Sequence, residues 1–154
     1  MMDCKSEYMK KIQCLIQDMH EGDPIEATFD AVELGATGVF AIHSWLRIQA
    51  FGGSPSYPEE LTPIVEGLLY GLDLRHLQKV TKVQIVKSLS DIAHTIIKER
   101  IESLKKAVID IECALISLLQ DQEPEIRTAT RKALWAIGTP SALAAAPKPW
   151  WRFW

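Results

Sequence analysis

The chain has 154 residues, 47% of them apolar and 24% charged, with a formal net charge of −3. That length fits one domain with a sizeable core, and the composition excludes a disordered chain. The cysteines, Cys4, Cys14 and Cys113, are odd in number and lack CxxC spacing, which argues against a disulfide framework, and no run approaches the roughly 20 apolar residues that span a bilayer.

The opening MMDCKSEYMKKIQC carries charge where a signal peptide needs an apolar run, so a cytoplasmic protein is expected. Tyr8, Ile12, Leu15, Ile16 and Met19 recur with helical spacing and predict a first helix, closed by His20-Glu21-Gly22-Asp23-Pro24. Asp23 can cap a second helix with Pro24 at its first position. Ile25, Phe29 and Val32 continue a helical stripe, and Gly35 and Gly38 predict a loosening before a third segment, in which Val39, Ile42, Leu46 and Ala50 share a face.

Gly52-Gly53-Ser54-Pro55-Ser56-Tyr57-Pro58 reads as the clearest loop. Ser56 with Glu59 could form a capping box for the next helix, and Thr62-Pro63 offers a competing start. That helix should run to about Leu72, with Gly67 and Gly71 permitting close packing or fraying. Residues 72–123 then contain neither glycine nor proline. A single helix over that stretch would be about 78 Å long, too long for so small a domain. Ile85, Leu89, Ile92 and Ile96 form one apolar seam, and Ile97, Ile101, Leu104, Val108, Ile111, Leu115 and Leu118 form another shifted by one residue. The shift predicts a turn or kink around His94–Ile97, with an unbroken helix carrying a rotated stripe as the alternative. Cys14 and Cys113 are expected to act as small buried hydrophobes. Alternation of period two is absent.

In residues 114–143 an apolar helix ends in Asp121-Gln122-Glu123-Pro124, and a second helix stops at Gly138-Thr139-Pro140. This segment resembles a HEAT-type helical repeat, including the short HEAT-like repeats of bacterial proteins. The matching positions are Leu115, Leu118 and Leu119, then Asp121 and Pro124, then Ile126, Arg127, Ala129, Ala133, Leu134 and Ile137, with Gly138, Pro140 and Leu143 at the exit. The resemblance implies that Asp121 and Arg127 bond along a stack of hairpins. A local capping role for Asp121 competes with that. A degenerate copy lies 45 residues earlier, pairing Lys82 with Arg127, Lys87 with Lys132, Leu89 with Leu134 and Ile92 with Ile137. It has His76 and Lys79 where the better repeat has Asp121 and Pro124.

No nucleotide-binding, zinc-protease or serine-hydrolase motif is present. Asp73-x-x-His76 and Asp91-x-x-His94 set a carboxylate and an imidazole one helical turn apart, but a metal bundle would need further carboxylates. His20 is expected in a helix's last turn and His43 at the edge of a core. Residues 1–73 carry a net −8 and residues 74–154 a net +5. Such a dipolar chain either presents a partner surface or lets its halves neutralise each other. Lys79, Lys82, Lys87, Lys98, Arg100, Lys105 and Lys106 form a basic series, interrupted by Asp91, Glu99, Glu102 and Asp110.

At the end, Ala144-Ala145-Ala146-Pro147-Lys148-Pro149 leads as a spacer into Trp150, Trp151, Arg152, Phe153 and Trp154. Three readings stand for this tail: folding back on its own helices, docking on a partner or a second copy, or resting at a membrane surface.

The expected fold is all-α: a short right-handed HEAT-like hairpin stack, or a helical bundle, of about six or seven helices. Residues 1–146 would form one domain, acidic over 1–72 and basic over 73–146, with 147–154 as the tail. The expected function is a non-enzymatic protein-binding adaptor or assembly and scaffold factor without cofactor. Its contacts would be Trp150, Trp151, Arg152, Phe153 and Trp154, with Arg127, Arg131 and Lys132 as secondary ones. The resemblance allows two alternatives: a phycobilin lyase subunit or phycobilisome-related factor, and a HEAT-like nucleic-acid-binding protein.

Overall fold

The computed structural model describes residues 4–52 and 58–149. They form helices α1 (Cys4–Glu21), α2 (Pro24–Ala50), α3 (Leu61–Asp73), α4 (Lys79–Lys98), α5 (Lys105–Leu118), α6 (Pro124–Ile137) and α7 (Pro140–Ala145), with a 3-10 turn at Glu102–Leu104. No strand occurs among the described residues. The all-α expectation holds, with seven α-helices.

The helices lie in two layers. In one, α3 touches both α1 and α5; in the other, α4 touches both α2 and α6. Each of the pairs α1 and α2, α3 and α4, α5 and α6 is also in contact, so three hairpins lie side by side and α7 closes the end against α5 and α6. The core is continuous through Ile12, Met19, Leu34, Ile42, Ile64, Leu68, Ile85, Leu89, Ile92, Ile111, Leu115 and Leu134, all buried. Residues 114–143 are joined to this core through Leu115, Leu134 and Ile137. Helices α4 and α6 begin at Lys79 and Pro124, 45 positions apart, whereas α2 and α4 begin at Pro24 and Lys79, 55 positions apart.

The Asp23 cap is as expected: its Oδ1 accepts from the amides of Ile25 and Glu26, and Pro24 opens α2. The break at Gly35 and Gly38 is overturned. Helix α2 runs unbroken through both for 27 residues. Its core face consists of small residues, Ala27, Ala31, Gly35, Gly38 and Ala41, with Leu34 and Ile42. These let α4 approach closely: a Cβ on Gly35 would lie 2.5 Å from Ser88 Oγ, and one on Gly38 2.7 Å from Ile92 Cδ1. Hydroxyls bridge the same seam, Ser88 Oγ donating to the Ala31 carbonyl at 2.8 Å and Thr28 meeting Thr81 at 2.9 Å. Gly67 and Gly71 do serve close packing, against Ile16 and Ile85.

Helix α3 starts at Leu61, just ahead of the competing start expected at Thr62-Pro63, with Pro63 in its first turn, and the Glu60 side chain makes no capping hydrogen bond. Ser56, expected to form a capping box with Glu59, lies outside the described residues. Helix α3 ends at Asp73, as expected at about Leu72, and the chain then turns into α4 without glycine or proline. Leu77 pins the turn by burial. The His76 ring donates to the His20 carbonyl, and the His20 ring donates to the Gly67 carbonyl at 2.8 Å, tying the end of α1 to α3. His20 does sit in the last turn of α1.

The second break falls after Lys98, beyond the predicted His94–Ile97. Arg100 takes a left-handed conformation, with φ of 54°. The Ile101 amide reaches the Ile96 carbonyl and the Arg100 amide reaches that of Ile97, which is the Schellman closure usually given to glycine. Ile96 and Ile101, both buried, supply its apolar clasp. Arg100→Gly is therefore expected to raise the unfolding free energy by about 1 kcal/mol, by relieving the cost of a left-handed L-residue. Urea unfolding followed by far-UV circular dichroism measures it, and a destabilised variant would refute the account.

Two smaller expectations also fail. Cys14 and Cys113 are exposed, because Ile12, Met19, Ile111 and Leu115 take the core phase of their helices. His43 is exposed on α2 rather than packed at a core edge.

Candidate functional site

At about 100° per residue, α2 carries two apolar faces on opposite sides. One is the core face of small residues. The other begins at Ile25 and continues through Phe29, Val32, Ala36 and Phe40 to His43 and Arg47. Ile25 is 71% exposed, Phe29 69%, Val32 45% and Phe40 65%. The stripe Ile25, Phe29, Val32 is thus helical, as expected, but it faces solvent. The hydrophobic effect gives no reason to hold four large apolar side chains in water along one line, which makes this ridge the candidate contact surface.

Beside the ridge runs a groove of about 590 Å³ between α2 and α4. Val32, Ala36, Val39, Phe40 and His43 form one wall, and Gln84, Asp91, His94 and Thr95 belong to the other. His94 Nδ1 donates to the Ala136 carbonyl at 3.1 Å, fixing the ring between α4 and α6. Burial pushes the Asp91 carboxyl up, partly countered by His94. Ser88 also lines this groove, but its hydroxyl proton is committed to the Ala31 carbonyl. No poised nucleophile and base meet there. Among the described residues no three of His, Cys, Asp and Glu gather as a metal site.

Farther along the same layer, a smaller cleft between α4 and α6 is lined by Lys87, Ser90, Asp91, Ala129, Lys132 and Ala136. Lys87 and Lys132, paired in sequence by the 45-residue offset, thus share one cleft. Arg131 is exposed next to Lys132 and donates to Thr128 Oγ1 at 3.3 Å. Arg127 is placed differently. Its Nη1 donates to the Asp121 carbonyl at 2.6 Å and the Gln122 carbonyl at 3.1 Å, while Asp121 Oδ1 accepts from the Glu123 amide. Both residues hold their own turn, and both roles are local. Trp135 is half-buried and donates to the Ala146 carbonyl at 2.8 Å. Trp150, Trp151, Arg152, Phe153 and Trp154 lie outside the described residues.

The basic series does not form one stripe. Lys79 is bound into ion pairs with Glu125 at 3.2 Å and Glu123 at 3.9 Å. Lys105 falls in a different groove with Arg100, and Lys106 in another. No helix among the described residues is long and apolar enough to cross a membrane. The exposed α2 ridge is the candidate feature that the sequence did not single out. The signal was present in Ile25, Phe29 and Val32, but the core face of alanine and glycine is too weakly apolar to reveal which stripe turns inward.

The chain matches no family model, no curated protein and no solved structure.

Proposed function

We propose that the protein is a non-enzymatic, protein-binding adaptor or assembly factor of the cytoplasm, built from HEAT-like hairpins. The observation that carries this reading is the exposed apolar ridge of α2, flanked by the α2–α4 groove. The stacked hairpins and the 45-residue spacing of α4 and α6 support the repeat character. Large aromatic side chains beside a groove suit recognition of an amphipathic helix, whose anchors fall at helical spacing. Arg131 and Lys132 extend the contact surface along the same layer, Arg127 acts on it indirectly by holding the turn below α6, and the Trp150–Trp154 tail supplies a second anchor.

A photo-crosslinking residue placed singly at Phe29, Phe40 and, as a control, exposed Gln13 tests the surface in cells. Discrete protein adducts at Phe29 and Phe40, lost on adding Ala36→Glu and absent from Gln13, are the expected result. Uniform or absent adducts at all three positions would remove the ridge as a binding surface.

A further inference from the structure

We infer that the ridge of α2 is covered by α2 of a second copy of this chain, antiparallel, with Ala36 on the two-fold axis. This rests on the reading of the ridge as a protein-binding surface and names its occupant.

The argument is self-complementarity. A two-fold contact pairs each residue with one at the mirrored position, so the sequence of the face must fit its own reverse. Centred on Ala36, the ridge does. Ala36 meets its own copy, and its small side chain lets the two helices approach. Val32 meets Phe40 of the second copy, and Phe29 meets His43 of the second copy, an aromatic pair. Ile25 lies against the aliphatic stem of the second copy's Arg47. Charge gives the direction. The exposed acids of α2, Glu26 and Glu33, stand in its first half, and its exposed basic residue, Arg47, stands near the end with His43 before it. An antiparallel partner brings each Arg47 beside the other copy's Glu26. A parallel partner would bring acid to acid and Arg47 to Arg47.

The area suits a weak contact. With about 200 Å² for a fully exposed phenylalanine, Phe29 and Phe40 offer about 270 Å², and Ile25 with Val32 brings the ridge to about 450 Å² per copy. Two copies thus present about 900 Å², below the roughly 1,200 Å² of standard-size interfaces and in the class of weak, exchanging contacts. A contact of that class is expected to be weak, so dimer and monomer exchange with concentration, and a Kd of about 1–100 μM is the range to test.

Sedimentation equilibrium of the purified full chain is the test. The expected mass is that of two 17.3 kDa chains at high loading, falling toward one on dilution below about 1 μM. Ala36→Glu sets two carboxylates on the axis and is expected to weaken the dimer at least about 100-fold while leaving the thermal melt of the monomer unchanged, since position 36 is exposed. Arg47→Glu weakens it, and Glu26→Arg with Arg47→Glu restores it; failure of that rescue would refute the antiparallel register. In a chain with serine at positions 4, 14 and 113, Ala36→Cys is expected to join to its copy through a short bismaleimide, whereas Gln13→Cys does not. The chain lacking residues 147–154 should dimerise equally; loss of the dimer there would assign it to the tail and overturn the inference. A monomer at about 200 μM overturns it as well. If Phe29 and Phe40 then still capture a different protein in cells, only the second copy is lost. If they capture nothing, the binding surface falls with it.

Discussion

Gly35→Ala is expected to lower the unfolding free energy by about 2 kcal/mol, although alanine is the better helix former. The added methyl would stand 2.5 Å from Ser88 Oγ, 2.6 Å from Ser88 Cβ and 3.1 Å from Ser88 Cα. Ser88 cannot swing aside without giving up its bond to the Ala31 carbonyl, and its Cα is the backbone of α4. The two helices must therefore separate locally. Overpacking of a tight core costs about 1–3 kcal/mol, and the upper part of that range, less about 1 kcal/mol of gained helix propensity, gives the net effect. Adding Ser88→Gly should recover part of the loss, a coupling that a double-mutant cycle in urea measures directly. A Gly35→Ala chain as stable as the parent would show that α2 and α4 do not approach this closely. Because the ridge belongs to α2 and the facing groove wall to α4, the same variant should also loosen the candidate site.

The contrast between α1 and α2 shows what the sequence could reveal. In α1 the core face is Ile12, Leu15, Ile16 and Met19, all large, so periodicity and burial agree. In α2 the large residues Ile25, Phe29, Val32 and Phe40 face water, while the inward face is Ala27, Ala31, Gly35, Gly38 and Ala41. Periodicity finds both stripes but cannot rank them, because the inward one is chosen by how closely α4 can approach. Capping chemistry was legible where its usual residues occur, at Asp23-Pro24 and at Gly138, whose φ is 69°. It failed where an unusual residue does the work. Arg100 fills a glycine position, and the turn before α4 is held by the burial of Leu77 and by long-range bonds of His20 and His76. The expected contact residues divide for similar reasons. Lys132 and Arg131 are surface side chains, whereas Arg127 bends back onto carbonyls that only the folded turn presents.

Asp30→Asn is expected to raise the unfolding free energy by about 1–2 kcal/mol at pH 8 and to leave it unchanged near pH 4. Asp30 lies on the inward side of α2, only 8% exposed, and its Oδ2 finds no hydrogen-bond partner in the protein. Burial, then the hydrogen bond and charge of Asp18, then the charges of Glu33 and Glu26, raise its pKa from 3.8 to about 7. The unfolded chain releases this proton near pH 4, whereas the folded chain holds it to about pH 7. Between those limits the folded state binds the extra proton, so stability falls as pH rises from about 4 to 7 and levels off above. This is opposite to the usual ion-paired aspartate. Asparagine keeps the shape and a hydrogen bond for Asp18 but cannot ionise, so the difference between variant and parent isolates the effect from every other titrating group. Water at exposed Asp18 screens part of the repulsion, which limits the gain to the stated size. Thermal melts of both chains at intervals from pH 4 to pH 8 should diverge by about 2–8 °C across this window. Two parallel curves would mean that Asp30 is already ionised in the folded chain, with α1 and α2 open to water at that point.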